Sequence, residues 1–158
     1  MPKYSTEENR RWQNSLPSKR VAADAVFRDE QGQVLIIKTN YKDHWQLPGG
    51  VVDEAESPHD AVVREVKEEL GLDIPKEQFK FRVTMYTPEY DGFKDFIAFT
   101  FDGGVLTQPQ IASIRIQEEE LEEFKFTSLE EAKELLKPSL ARRTTAICEE
   151  DDTAFMTA

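Results

Sequence analysis

The sequence predicts an α/β (α+β) domain in which a mixed β-sheet is sandwiched between α-helices. Strand-like and helix-like segments alternate along the chain, which favours helices packed on a sheet. Two strand-like segments, residues 20–28 and 33–38, flank residues 29–32 (DEQG), whose residue types favour a tight turn. Because a hairpin makes its two strands antiparallel, the sheet is expected to be mixed and not all parallel.

The remaining strands are predicted from apolar runs and from the alternation of apolar and polar residues. Residues 79–86 (FKFRVTMY) alternate, as expected for a half-buried strand, whereas residues 95–101 (DFIAFTF) are more continuously apolar. Three shorter candidates are residues 44–48, 111–116 and 123–127.

Residues 57–71 carry the clearest helix signal. Ser57 can cap the helix, and Pro58 suits the first helical position. Asp60 adds a capping-box-like third position, and Gly71 supplies a left-handed residue at which the helix can end. Two further helices are predicted at residues 128–137 and 139–148, with Pro138 between them.

The length of 158 residues suits one domain, which is expected at residues 20–148. Residues 1–19 are polar and are interpreted as an N-terminal arm that lies on the domain or reaches a partner subunit. Trp12 is the expected anchor of this arm, and simple disorder is the alternative. Residues 149–158 are expected to be an acidic C-terminal tail.

Composition limits the classes of partner and the compartment. The net charge of −11, from 31 acidic and 20 basic residues, opposes nucleic-acid binding, so duplex nucleic acid is not expected as a partner. A small phosphorylated substrate is compatible with this charge, because a bound divalent cation reverses the local field. Cys148 is the only cysteine, so an intrachain disulfide is excluded and a cytoplasmic location is expected. No apolar run approaches the length of a membrane span, so no membrane association is expected.

The predicted helix 57–71 carries chemistry on one face. Three apolar side chains share the opposite face: Val63, Val66 and Leu70. Glu65, Glu68 and Glu69 are neighbours at spacings of three and four residues, so their carboxylates converge and repel one another. A solvated acidic face is one interpretation. The other is a site for a hard cation such as Mg²⁺, which prefers oxygen ligands.

Flanking residues favour the cation site. Gly49 and Gly50 allow the backbone to approach a ligand closely and to offer a carbonyl to a metal. Arg64 precedes Glu68 by four residues and adjoins Glu65, so it can hold these acids in place. A plain turn and an ordinary surface ion pair are the alternative interpretations of these residues.

The segment from Gly50 to Leu72 resembles the Nudix box, the signature of the Nudix hydrolase family. That pattern is G-x5-E-x7-R-E-U-x-E-E-x-G-U, in which U is apolar. Every fixed position is matched, by Gly50, Glu56, Arg64, Glu65, Glu68, Glu69 and Gly71. The resemblance implies the Nudix fold, with its mixed sheet between helices, over residues 20–148.

The resemblance also implies roles for these side chains. Glu68 and Glu69 are expected to be the main metal ligands, and Glu65 a further ligand or a general base. The Gly49 carbonyl is expected to complete a metal position, and Arg64 to orient Glu65.

Two further glutamates are implied by the resemblance. Glu56 is expected to support the loop before the helix, and support of the metals is an alternative role. Family members often use another glutamate in the loop before a late strand. Glu120, which precedes LEEFKF, is the expected residue, with Glu118 and Glu119 as alternatives.

The activity implied is Mg²⁺-dependent, or alternatively Mn²⁺-dependent, hydrolysis of a diphosphate linkage in a nucleoside diphosphate joined to another moiety. The products are a nucleoside monophosphate plus pyrophosphate or a phosphorylated group. Pro88 lies where ADP-ribose hydrolases of the family tend to have a proline, and Tyr90 where dinucleoside polyphosphate hydrolases tend to have a tyrosine. The two residues therefore indicate different substrates, and the formation of a turn explains both equally well. A non-catalytic, nucleotide-binding regulatory domain is the alternative function, and a homodimer joined through residues 1–19 is compatible with the sequence.

Overall fold

The computed structural model describes residues 4–150 and 152–158. Its helices are α1 (Thr6–Ser15), α2 (Pro58–Leu70), α3 (Gln108–Ser113), α4 (Leu129–Leu135) and α5 (Pro138–Glu149). Its strands are β1 (Arg20–Arg28), β2 (Val34–Thr39), β3 (Trp45–Gln46), β4 (Gly49–Val51), β5 (Lys80–Thr87), β6 (Phe96–Val105), β7 (Leu121–Thr127) and β8 (Ala154–Thr157). A short 3₁₀ turn, Lys76–Gln78, precedes β5.

The strands form one mixed sheet in the order β3-β2-β1-β6-β5-β8, with β4 paired to β1 and β7 paired to β2. β1 pairs in parallel with β6, and β5 in parallel with β8, whereas the other pairs are antiparallel. The hairpin of β1 and β2 is present and pairs Arg28 with Val34 beside the turn. The first half of β1 pairs with β4 instead, which brings the glycines of β4 onto β1.

Helices cover both faces of the sheet, as predicted. On one face, Val62, Val66 and Leu70 of α2 pack with the alternate β1 residues Ala23 and Phe27. On the other face, α4 and α5 pack on the remaining side chains of β1 and β2: the buried residues here include Val26, Ile36, Ala132 and Ile147. The helices α2, α4 and α5 thus each bury an apolar face on the sheet, which is how a sheet between two helical layers excludes water. No helix in the described part of the chain is long and apolar enough to cross a membrane.

Local signals define α2 as predicted. The Ser57 side chain accepts a hydrogen bond from the backbone N–H of Asp60, and Pro58 occupies the first turn. The helix ends at Gly71, whose φ of 68° is left-handed and whose N–H donates to the Lys67 carbonyl. These short-range contacts set where the helix starts and stops, and therefore where its glutamates point.

The strand predicted at residues 111–116 is wrong. Residues Gln108–Ser113 form the short helix α3, because Thr107 and Gln110 make a reciprocal capping box and a proline lies in the first turn. These capping residues lie before the predicted range, so the apolar residues inside it, such as Ile111 and Ile114, gave a misleading strand signal.

Both ends of the chain contain structure that the sequence did not indicate. Residues 6–15 are helical, and Trp12 is 61% exposed, so Trp12 does not anchor the arm to the domain. Residues 154–157 form β8, which extends the sheet beside β5. Residues 1–3 of the predicted arm and residue 151 of the predicted tail lie outside the described part of the chain.

The α2–sheet interface predicts the cost of a cavity. Leu70→Ala should lower the free energy of unfolding by about 2–5 kcal/mol, because Leu70 is fully buried and its removal leaves a void. Leu16→Ala is the matched control, because Leu16 is 46% exposed. Chemical denaturation measures both, and equal losses in the two variants would contradict the packing described.

Candidate metal and active site

The site begins with a close contact between two strands. Gly49, on β4, lies opposite Asp24 of β1 and has a φ of 144°. A Cβ on Gly49 would lie 2.2 Å from the Ala23 carbonyl oxygen and 2.5 Å from the Asp24 Cα. Only glycine allows this approach, because any side chain would collide with the backbone of β1.

Gly50 has a different role, because it makes room for a carboxylate. A Cβ at this position would lie 2.4 Å from Oε1 of Glu65. The two glycines therefore bring the β4 backbone against β1 on one side and against α2 on the other. This contact brings the Gly49 carbonyl, a predicted metal ligand, and Glu65 into one small region.

Glu69 is buried in this contact, although the helical pattern places it on a polar face. It is 6% exposed, and its Oε2 accepts a hydrogen bond of 2.8 Å from the Gly49 N–H. Burial raises the pKa of Glu69 to about 8, and repulsion from Glu65 and Glu120 adds to this rise. The Gly49 N–H and the nearby Lys42 act in the opposite direction without cancelling it.

Arg64 ties the loop to the helix. Its Nε and Nη2 each donate a 2.9 Å hydrogen bond to the Glu56 carboxylate, a bidentate pair. Its Nη1 donates to Glu65 Oε1 at 2.9 Å and to Glu68 Oε2 at 3.1 Å, and its Nη2 also donates to the Val51 carbonyl. One guanidinium thus joins three of the predicted glutamates, and the contact expected between Arg64 and Glu65 is present.

The four glutamates of the motif have different electrostatic environments. Hydrogen bonds from Arg64, and then from the backbone N–H of Asp53, lower the pKa of Glu56 to about 2. Burial raises the pKa of Glu65, and the Arg64 guanidinium opposes this rise. The Glu68 side chain is about half exposed and contacts Arg64. The predicted set is therefore brought together, but not on a uniformly solvated face.

Glu120 lies at the end of the turn that precedes β7. Its carbonyl accepts a 3.0 Å hydrogen bond from the backbone N–H of Asn40, which fixes this turn beside the end of β2. Of the three predicted alternatives, Glu120 is the one whose charge raises the pKa of Glu65 and of Glu69. The structure thus brings the residue chosen from the sequence towards the helix carboxylates.

The loop between β2 and β3 adds two residues that no motif marks. Partial burial, and then repulsion from Glu120, Glu69 and Glu65, raises the pKa of Tyr41, although this side chain remains 65% exposed. Lys42 is half-buried, and its ammonium donates a 3.0 Å hydrogen bond to Gln46. Its positive charge lowers the pKa of Glu69, against the larger effect of burial. Their residue types suit contact with a phosphate and stacking on a base, but their place beside the carboxylates results from the folding of the loop.

The donor set fits a hard divalent cation by its chemistry. It consists of oxygen ligands, and among the described residues buried Glu69 accepts its hydrogen bond from the Gly49 N–H alone. Within residues 4–150 and 152–158, no three His, Cys, Asp or Glu side chains are arranged to hold a metal ion. Of the proposed ligands, Glu65 and Glu68 accept hydrogen bonds from Arg64, and Glu69 accepts one from the Gly49 N–H.

The two glycines give a paired prediction. Gly49→Ala should lower the free energy of unfolding by at least about 2 kcal/mol, because the new methyl group meets backbone at a strained φ. Gly50→Ala should cost less than about 1 kcal/mol, because its methyl group meets the end of the Glu65 side chain and not the backbone of β1. Denaturant unfolding of both variants tests this order, and a larger loss for Gly50→Ala would contradict it.

The ion pair of Glu56 predicts a pH dependence of stability. The folded pKa of about 2 lies below the ordinary value of 4.5, so Glu56 stabilises the fold above about pH 4.5 and loses this effect as the pH falls towards 2. Unfolding free energies of Glu56→Gln should therefore vary less with pH over this range than those of wild type. Parallel profiles would contradict the prediction, and Glu134→Gln controls for the loss of one surface charge.

Comparison with known proteins agrees with this geometry. The NUDIX domain profile matches residues 18–147. The MutT protein from Methanosarcina mazei Go1 superposes with a TM-score of 0.68 and 25% identity, over 86% of this chain and 100% of that chain. An RNA pyrophosphohydrolase of Psychrobacter sp. (strain PRwf-1) is 49% identical over 30% of this chain, and an 8-oxo-dGTP diphosphatase of Proteus vulgaris is 36% identical over 33%. The matched segments span 27% and 50% of these two curated relatives. With the complete motif, its folded geometry and the profile match over most of its length, the chain belongs to the Nudix family of hydrolases.

Proposed function

We propose that this Nudix hydrolase cleaves a diphosphate linkage in a nucleoside diphosphate joined to another moiety, with a divalent cation. The reaction yields a nucleoside monophosphate plus pyrophosphate or a phosphorylated product. One observation carries the proposal: the four motif glutamates lie around Arg64 and the β4 glycines. Three of them contact Arg64, whereas buried Glu69 accepts a hydrogen bond from the Gly49 N–H. Mg²⁺ prefers oxygen ligands of this kind and is commonly bound by carboxylates together with substrate phosphates.

The residues proposed to hold the cation are Glu65, Glu68, Glu69, Glu120 and the Gly49 carbonyl. Mg²⁺ is the proposed ion, and Mn²⁺ has the same preference for oxygen ligands. When bound, the cation would supply charge neutralisation for phosphate oxygens and a lowered pKa for an attacking water. The buried position of Glu69 supports this assignment, because a carboxylate removed from water gains from a nearby cation.

The alternative to a ligand role for Glu65 is that of the general base. Burial raises its pKa above the ordinary value, which makes the carboxylate a stronger base. The hydrogen bond from Arg64 Nη1 orients its Oε1, and Gly50 leaves space beside the same oxygen. In the proposed step, water loses a proton to Glu65 as its oxygen bonds to one phosphorus, and the bridging P–O bond breaks.

The substrate class is proposed from the relatives. One curated relative is an RNA pyrophosphohydrolase and another an 8-oxo-dGTP diphosphatase, so both names describe cleavage next to a nucleotide phosphate. The Tyr90 and Pro88 cues do not narrow this class. Tyr90 pairs with Phe93 across a tight turn, with ring centroids 5.7 Å apart, so turn formation accounts for its presence.

A hydrolysis panel tests the activity. Nucleoside triphosphates, oxidised triphosphates, ADP-ribose, nucleotide sugars and dinucleoside polyphosphates are incubated with and without Mg²⁺, and mass spectrometry identifies the products. Metal-dependent cleavage of one class is expected. Tight nucleotide binding with no cleavage of any class would overturn the proposal in favour of a regulatory domain.

Glu68→Gln should lower turnover at least about 100-fold without unfolding the protein, because the side chain is half exposed and a lost metal ligand costs more than a lost outer contact. Glu134→Gln, on the exposed side of α4, is the matched control and should retain activity. Steady-state kinetics and thermal unfolding measure the two effects. Near-normal turnover of Glu68→Gln would contradict the assignment of Glu68 as a metal ligand.

A further inference from the structure

We propose that Arg143 of α5 is a positioning residue, which fixes the Gly49 end of the active site through Asp24 from the opposite side of the sheet. This inference rests on the proposed function, because it concerns the same site. Arg143 itself lies in the α5 layer. Among the described residues, its side-chain hydrogen bonds go to Asp24 and Thr100 and not to a motif glutamate.

The Arg143 side chain is 4% exposed and belongs to a buried polar cluster. Its Nη1 donates to both Asp24 carboxylate oxygens, at 2.9 and 2.7 Å, and to the Thr100 hydroxyl. Asp24 and Thr100 are cross-strand partners on β1 and β6. The cluster therefore joins α5 to the two central strands.

Asp24 connects this cluster to the site. It is the register partner of Gly49, and the next residue, Ala25, donates a 2.9 Å hydrogen bond to the Pro48 carbonyl. A Cβ on Gly49 would lie 2.7 Å from the Asp24 Cβ, so the two residues are in direct contact. The Gly49 N–H then donates to Glu69 on the other side of the sheet. A shift of Asp24 is thus transmitted to the Glu69 carboxylate in two contacts.

Stability alone does not explain a buried pair of this kind. Removing two charges from water costs about as much as their attraction returns, so an apolar replacement is often neutral or better. Arg143 Nε is buried and has no hydrogen-bond partner among the described residues, so this arginine is not fully satisfied. The three contacts of Nη1 do hold the Asp24 side chain in one orientation, which is the property that a positioned Gly49 needs.

A second ion pair provides the matched control. Arg28 Nη2 donates to Asp102 Oδ1 at 2.7 Å, and both side chains are largely buried. This pair also joins β1 to β6, but it lies at the other end of β1, beside the hairpin turn. Its removal should affect stability without reaching Gly49.

The test compares Asp24→Asn/Arg143→Gln, which removes both charges together, with the control Arg28→Gln/Asp102→Asn. Hydrogen exchange of the Gly49 amide, followed by NMR without metal, should be at least about tenfold faster in the first variant only. The same variant should show about tenfold lower kcat with KM changed less than about twofold, on the substrate found for wild type. Arg143→Lys, which keeps the charge, should restore part of kcat.

Wild-type exchange of Gly49 in a folded Asp24→Asn/Arg143→Gln protein would overturn the proposal, and so would an equal change in the control. If the double variant does not fold, Arg143→Lys is measured instead, because lysine cannot reproduce the three contacts of Nη1. Faster exchange of the Gly49 amide than in wild type is then expected, and wild-type exchange would overturn the proposal. Absence of hydrolysis in wild type would be a failure of the proposed function only. The exchange of the Gly49 amide would still report whether Arg143 positions it.

Discussion

The site depends on one close contact, in which the backbone of Gly49 lies between β1 and α2. The absence of a side chain at Gly49 lets β4 approach Ala23 and Asp24 more closely than any other residue would allow. The same residue donates its N–H to Glu69, which buries that carboxylate. Sheet pairing, helix packing and the electrostatics of the glutamates all meet at this point.

The negative charge around this contact is stabilised unequally. Arg64 makes a bidentate pair with Glu56, and this pair, together with the backbone N–H of Asp53, lowers the pKa of Glu56 to about 2. Among the described residues, Glu69 accepts a hydrogen bond from a neutral N–H alone, and burial raises its pKa to about 8. The Arg64 guanidinium therefore orders the loop through Glu56 and holds the exposed Glu68. The buried Glu69 would be stabilised in its charged form by a cation. This division supports the proposal that a divalent cation completes the site.

Features encoded by neighbouring residues could be predicted from the sequence. The limits of α2 follow from Ser57 and Gly71, and the spacing of the motif identified its glutamates. The burial of Glu69 could not be predicted, because helical periodicity gives the face of a residue but not what packs against it. The helix in place of the strand at residues 111–116, and the pairing of β8 with β5, show the same limit. Capping outside the apolar run decided the first, and contact between distant segments decided the second.

The roles proposed for Arg143 and Asp24 had no sequence signal either. They are separated by more than a hundred residues along the chain and meet only after α5 packs on the sheet. Lys42 and Tyr41 reach the carboxylates through a loop that carries no recognisable motif. Motif spacing thus identified the groups proposed for the chemistry, whereas the groups that surround them were found only from tertiary structure.

The central claim is that buried Glu69 helps to hold a divalent cation, and calorimetric titration of Mn²⁺ into the substrate-free protein tests it most directly. Wild type and Glu134→Gln are expected to bind the ion with equal affinity. Glu69→Gln is expected to bind it at least about tenfold more weakly. Equal affinity of all three proteins, with Glu69→Gln folded, would contradict the account.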